Sequence, residues 1–203
     1  MKDNYIIVSF ATKDGVYDKY GEEFELNMKK IGVPYDIEYI EPIKPDVPND
    51  RLLDFQRQKK DTGRIRGKFL LRKMDEHRDK IVVWMDCDDG LVKKPVIKDT
   101  NFDVGFVKTE RSAKHLPVMA RLLILNQTLN ARHFLKVWDY LNAWPELEPM
   151  GGSHLRLCHA REICFSSISR SVGYNLARAN LKNKCFKEKD FTEVFRPILK
   201  IRR

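Results

Sequence analysis

Three carboxylates stand within four residues at Asp86, Asp88 and Asp89, directly after the apolar run Ile81-Val82-Val83-Trp84-Met85. That run has the length and β-branched content of a buried strand, and the Asp89-Gly90 pair is a turn signal. Carboxylates crowded at a strand end repel one another where little solvent screens them. A hard divalent cation, Mg²⁺ or Mn²⁺, relieves that repulsion through oxygen ligands and takes a phosphorylated ligand as its partner. The stretch is therefore a candidate metal–phosphate site.

The elements that must position it are legible from their periodicity. Tyr5 to Ala11 reads as a first buried strand, and Thr12-Lys13-Asp14-Gly15 as the loop leaving it. A helix is expected from about Tyr17 to Ile31, with Phe24, Met28 and Ile31 at helical spacing and Gly32 as its stop. Tyr35 to Ile40 alternates as a strand does, and Pro42, Pro45 and Pro48 then mark an irregular loop. A basic helix from about Gly67 to His77 leads into the Ile81 strand. This alternation predicts an α/β fold with a mostly parallel central sheet flanked by helices. Such sheets bind ligands beyond the carboxyl ends of their strands, so the Ser9–Thr12 and Asp86–Asp89 loops are expected to share one cleft.

The second half is less regular. Strands are expected over Phe102–Lys108 and Leu122–Asn126, and a helix over Leu129–Ala143 whose core face includes Phe134, Val137, Trp138 and Leu141. Gly151-Gly152 breaks the chain before another helical stretch, His154 to Glu162. No repeat or low-complexity linker divides the 203 residues, so one domain is expected over 1–203.

Composition narrows the class. No apolar segment approaches the ~18–20 residues of a membrane span, no signal-peptide pattern opens the chain, and the four cysteines form no CxxC pair. A reduced, cytoplasmic protein is the expectation. The formal charge is +9, unevenly spread: eight basic residues against one acid from Arg57 to Lys73, and ten against three from Arg170 to Arg203. Blocks of this kind are either solvated faces or contacts for a polyanion such as a nucleotide diphosphate, nucleic acid or anionic glycan.

Asp86-Cys87-Asp88 is a D-x-D arrangement at the end of an apolar strand, halfway along an α/β chain. Taken with the Ile7–Thr12 strand and loop, the Gly67-Lys68-Phe69-Leu70-Leu71 helix and the Gly151-Gly152 turn, it resembles the GT-A class of nucleotide-sugar glycosyltransferases. The resemblance implies a single Rossmann-like domain with a donor half (1–100) and an acceptor half (101–203), and a Mn²⁺ or Mg²⁺ cofactor. It also implies that Ser9, Ala11 and Thr12 line the base and ribose pocket. Asp86 would face the ribose or donor sugar and share the metal with Asp88, and Asp89 would support the metal through its waters or cap the next turn. Arg66 and Lys68 stand where basic groups approach the donor, beside Arg64.

The chain departs from that pattern twice. Where relatives carry Gly-Gly-Asp it has Gly151-Gly152-Ser153-His154, which leaves His154 as the candidate base and Glu162 as its substitute. Where relatives place a metal-binding histidine after an apolar Pro-x-x run, Lys200 follows Arg196-Pro197-Ile198-Leu199. A protonated lysine does not ligate a metal but neutralises a diphosphate directly.

Gly151, Gly152, Arg156, Arg161 and Asn126 are the candidate acceptor-binding residues, Asn126 being equally a strand-end turn residue. The basic tail and small size resemble enzymes that glycosylate hydroxymethylated bases in DNA, as some bacteriophages do. That resemblance makes DNA the expected acceptor and host cytoplasm the expected location; the donor sugar is set by pocket shape, with a UDP-glucose-like donor the commonest choice. Two other readings stand beside it: transfer to cell-surface or lipopolysaccharide glycans, and an inactive nucleic-acid-binding relative.

Overall fold

Strand β1 (Tyr5–Thr12) is buried along its whole length, as a strand must be when it has a neighbour on each edge and helices on both faces. In the computed structural model, which describes residues 4–42, 65–91, 93–97, 100–108, 121–142, 183–187 and 195–197, β2 (Tyr35–Ile40) and β3 (Ile81–Met85) pair with β1 in parallel. The sheet continues through β6 (Leu122–Leu125), β5 (Val104–Lys108) and β7 (Asn183–Lys187), in the order β2-β1-β3-β6-β5-β7. A separate two-stranded ribbon joins β4 (Asp89–Leu91) antiparallel to β8 (Phe195–Pro197).

Among the described residues, three helices cover the sheet: α1 (Tyr17–Ile31), α2 (Arg66–Glu76) and α3 (Leu129–Asn142). Side chains alternate across a strand, and the two core layers follow that alternation. Ile6, Val8, Phe10, Val82, Trp84, Leu123 and Leu125 face α2 and α3, against Phe69, Leu70, Met74, Phe134 and Trp138. Tyr5, Ile7, Ile81, Val83, Met85, Leu122 and Ile124 face α1, against Phe24 and Met28. Two glycines permit close helix contacts. A Cβ on Gly21 would lie 2.8 Å from the Tyr39 ring and 2.9 Å from Ala11, and one on Gly67 would lie 2.7 Å from Asp139 of α3.

Both ends of α1 follow local chemistry. The Asp14 carboxylate accepts the backbone N–H groups of Val16 and Tyr17 at 2.9 and 2.7 Å, satisfying donors that the first turn leaves open. Gly32 adopts φ 71° and returns its N–H to the carbonyls of Met28 and Lys29, the left-handed cap that glycine accepts without a Cβ penalty.

The sheet is mostly parallel, as expected, although one strand, β6, departs from that order. The β1–β2, β1–β3 and β5–β7 pairs are parallel, whereas β6 runs antiparallel to both β3 and β5. The Asp89-Gly90 turn expectation needs correction. The tight turn spans Asp86–Asp89, closed by the Asp89 N–H on the Asp86 carbonyl at 3.0 Å, and Asp89-Gly90 opens strand β4. Its pairing with β8, more than a hundred residues away, overrides the local preference. Among the described residues no helix is long and apolar enough to cross a membrane.

Candidate functional site

The connectivity brings the carboxyl ends of β1 and β3 to the point where the strand order reverses. From β1 the chain passes to β2 on one edge, then returns to β3 on the other, which makes this the topological switch point of the sheet. Backbone pairing of β1 with β2 runs to Thr12↔Ile40, but with β3 it stops at Val8↔Trp84. Beyond that point the Ser9 hydroxyl donates to the Met85 carbonyl at 2.7 Å, so a side chain holds the strands where the ladder ends.

The aspartate turn leaves β3 at this place. Its start is fixed by the Asp86 N–H on the Arg121 carbonyl at 3.0 Å, and Cys87 is buried against Ala11 and Tyr20. Burial, with the charges of Asp88 and Asp86, pushes the Cys87 thiol far up, so it is a packing group and not a thiolate. Asp86 lies on the α2 side, where the Arg66 Nη2 approaches its Oδ1 at 2.9 Å. The same guanidinium sits 5.1 Å above the Trp84 ring. The Arg66–Asp86 contact is an ion pair in distance but lacks hydrogen-bond alignment, and the buried Arg66 Nε has no hydrogen-bond partner.

The carboxylates of the turn repel one another. Burial, followed by repulsion from Asp86 and Asp88, pushes the Asp89 carboxyl up to about 7, although Arg121 acts against the shift. Arg121 reaches Asp89 only at 3.7 Å. From α1, burial and then the charges of Asp88, Cys87 and Asp86 push the Tyr17 phenol up to about 12. Ala11 of β1 and Tyr17 and Tyr20 of α1 pack with Cys87 of the aspartate turn.

This oxygen-only, hard donor set fits Mg²⁺ or Mn²⁺. The three aspartates do not bring three ligand atoms within 4.8 Å of one another. An ion here would be held by one or two carboxylates, with phosphate oxygens and water completing its shell, which is the usual arrangement for Mg²⁺.

Among the described residues, the three ligand atoms that do converge belong to Asp36, Glu76 and His77. They could hold an ion, yet Lys73 already occupies their centre. Its Nζ lies 2.7 Å from Asp36, 2.6 Å from Glu38 and 2.8 Å from Glu76, with 3% of the side chain exposed. Arg72 adds a two-pronged pair to Glu38. This cluster carries its own cations and has less need of a metal.

The remaining expected site residues fall as follows. Ala11 is buried beneath Gly21. Thr12 donates its hydroxyl to Asp14 at 2.7 Å and so orients the α1 cap. Lys68 lies beside Asp139, a carboxyl whose pKa burial raises and Lys68 lowers. The Asn126 amide donates to the carbonyls of Thr100 and Phe102 at 2.8 and 3.0 Å, which is the strand-end turn role. Gly151, Gly152, His154, Arg156, Arg161, Glu162 and Lys200 lie outside the described residues. Strand β8 nevertheless sets Pro197 opposite Asp89, so the C-terminal segment returns to the aspartate turn.

Sequence reasoning missed Tyr17, Arg121 and Asn27. Tyr17 could have been found from its place five residues past the β1 end, whereas Arg121 carries no local signal. The Asn27 amide bonds both backbone groups of Leu91, and a polar residue between Phe24 and Met28 on a core face was its only sign.

No family model and no curated protein matches the chain. A solved structure does: a glycosyltransferase involved in the glycosylation of the major capsid of PBCV-1, at 12% identity and a TM-score of 0.54, over 94% of this chain and 91% of that one. At that identity the likeness is one of fold, and the chain shares the α/β architecture of that protein.

Proposed function

We propose that the protein is a metal-dependent glycosyltransferase using a nucleotide-diphosphate sugar, with the donor diphosphate at the Asp86–Asp89 turn. The observation that carries this reading is a cluster of mutually repelling carboxylates at the switch point of an α/β sheet. The fold likeness to a glycosyltransferase supports it.

In the proposed reaction the anomeric carbon–oxygen bond to the diphosphate breaks and a new one forms to the acceptor hydroxyl. The acceptor proton passes to a base, and the nucleoside diphosphate departs. Asp88, with Asp86, would hold a divalent ion, which when bound would supply positive charge to that departing group. Arg66, poised on Trp84 beside Asp86, supplies a second positive charge to the diphosphate. Ala11, Thr12 and Tyr17 border the space for the nucleoside, and Ser9 fixes the strands beneath it. His154 is the proposed base with Glu162 as its substitute, and Lys200 follows Pro197 by three residues as a further diphosphate contact.

For the acceptor, a hydroxyl on a glycan or glycoprotein is favoured. The described part of the first basic block is already answered: Arg66 by Asp86, Lys68 by Asp139, Arg72 by Glu38, and Lys73 by three acids. Residues engaged in this way neutralise few DNA phosphates. The +9 charge keeps a hydroxymethylated base in DNA as the second reading, with the remaining basic residues, Arg156 and Arg161 among them, as its contacts. A panel of UDP-sugars with saccharide and hydroxymethylated-DNA acceptors, read by product mass, tests both. A glycosylated saccharide supports the first reading and glycosylated DNA the second. No transfer and no Mn²⁺-dependent donor hydrolysis would contradict the enzyme itself.

A further inference from the structure

We propose that Asn27 is a positioning residue for the aspartate turn, a role that rests on the donor-site reading above. The turn is anchored on its β3 side by the sheet, by the Ser9–Met85 bond and by the Asp86–Arg121 bond. On its far side the chain leaves the main sheet as the three-residue strand β4. A strand that short, paired only with the equally short β8, is weakly held.

Asn27 supplies the missing partner. From α1 its amide nitrogen donates to the Leu91 carbonyl at 3.0 Å, and its carbonyl oxygen accepts the Leu91 N–H at 2.7 Å. One side chain thus takes both backbone groups of a single residue, as a neighbouring strand would. The amide is buried, flanked on the same helix by Phe24 and Met28 of the apolar layer. An amide in that setting is costly unless both its ends are bonded, and both are. Leu91 follows Asp89 by two residues and Asp88 by three, so fixing its backbone fixes where β4 starts and how the turn presents its carboxylates.

Outer groups that orient metal ligands change affinity by about 10–100-fold when removed. Asn27→Leu keeps the branched outline and heavy-atom count and removes both bonds. Asn27→Asp keeps the acceptor for the Leu91 N–H but sets an oxygen against the Leu91 carbonyl. Met28→Ala, on the same helix, weakens the apolar layer and keeps both Asn27 bonds to Leu91.

The experiment measures Mn²⁺ affinity in the presence of UDP by water-proton relaxation, alongside the melting temperature and the exchange rate of the Leu91 amide without metal. The expected result is a slow Leu91 amide in wild type and faster exchange in Asn27→Leu. Mn²⁺ binding should weaken about 10–100-fold in Asn27→Leu and less in Asn27→Asp. Met28→Ala should lower the melting temperature and leave the affinity unchanged. If Asn27→Leu does not fold, Asn27→Asp decides. Unaltered Mn²⁺ affinity in the folded Asn27 variants, or equal weakening in Met28→Ala, overturns the role of Asn27 alone. Wild type that binds no Mn²⁺ overturns the donor-site reading and this role with it.

Discussion

Two carboxylate clusters flank the two ends of α2, and the protein answers them differently. Near its C-terminal end, Asp36, Glu38 and Glu76 surround Lys73, and Arg72 grips Glu38 from outside. The Arg72 hydrogen bonds hold Glu38 down at about 2. Burial alone would raise Asp36, yet its bonds to Lys73 and His77 bring it below the usual range. Near the N-terminal end of α2, Asp86, Asp88 and Asp89 meet Arg66 at an imperfect angle and Arg121 at 3.7 Å, and Asp89 rises to about 7. The first cluster is a finished structural joint between β2 and α2. The second keeps a carboxyl raised by burial and by its neighbours' charges at the place where an α/β sheet takes its ligand.

That contrast can be broken in several ways. The largest effect on stability is expected at Lys73. Lys73→Ala leaves three acids facing one another, and should cost about 2–3 kcal/mol in urea unfolding. This falls below the ~3–5 kcal/mol of a fully buried pair because the acids keep some water contact. Mn²⁺ affinity should not change. A variant as stable as wild type would show that the joint contributes nothing.

The two clusters should also respond to pH with opposite sign. The folded-state pKa of Glu38 is depressed, so its contribution is present above the usual Glu value of ~4.3 and is lost as pH falls through about 2. That of Asp89 is raised, so its contribution is present below the usual Asp value of ~3.9 and is lost as pH rises through about 7. Unfolding midpoints measured in chelator should therefore decline toward both ends. Mn²⁺ should diminish the loss at the neutral end only, because the ion favours the carboxylate. A neutral-end decline that ignores Mn²⁺ would remove the electrostatic reason for placing a cation at the turn. The smallest effect belongs to an exposed pair: Lys13→Ala breaks a contact with Glu41 at 2.7 Å and should cost at most ~1 kcal/mol.

Much of the first hundred residues was legible because the signals there are local. The bounds of α1 and β2 follow from the Phe24–Met28–Ile31 spacing, the Gly32 stop and strand alternation. The apolar run ending in aspartates is β3 and its turn. What stayed hidden depends on residues distant in sequence. The reversal of β6 is a matter of sheet assembly, and Gly90 lies in a strand only because β8 pairs with it. Lys73 and Arg72 read as a basic helix face, whereas β2 turns them into a joint. The site residues divide in the same way. Asp86 and Arg66 share the α2 side because of strand parity and helix position, while the hydroxyls of Ser9 and Thr12 hold the frame. His154, Glu162 and Lys200 remain proposals from the sequence.

The most direct test titrates UDP into wild type and Asp88→Asn, with and without Mn²⁺, by calorimetry. The account predicts wild-type binding that depends on Mn²⁺, with affinity reduced at least ~10-fold in Asp88→Asn and the melting temperature retained. Equal binding by the two proteins, or wild-type binding indifferent to Mn²⁺, would contradict a donor-diphosphate site at the aspartate turn.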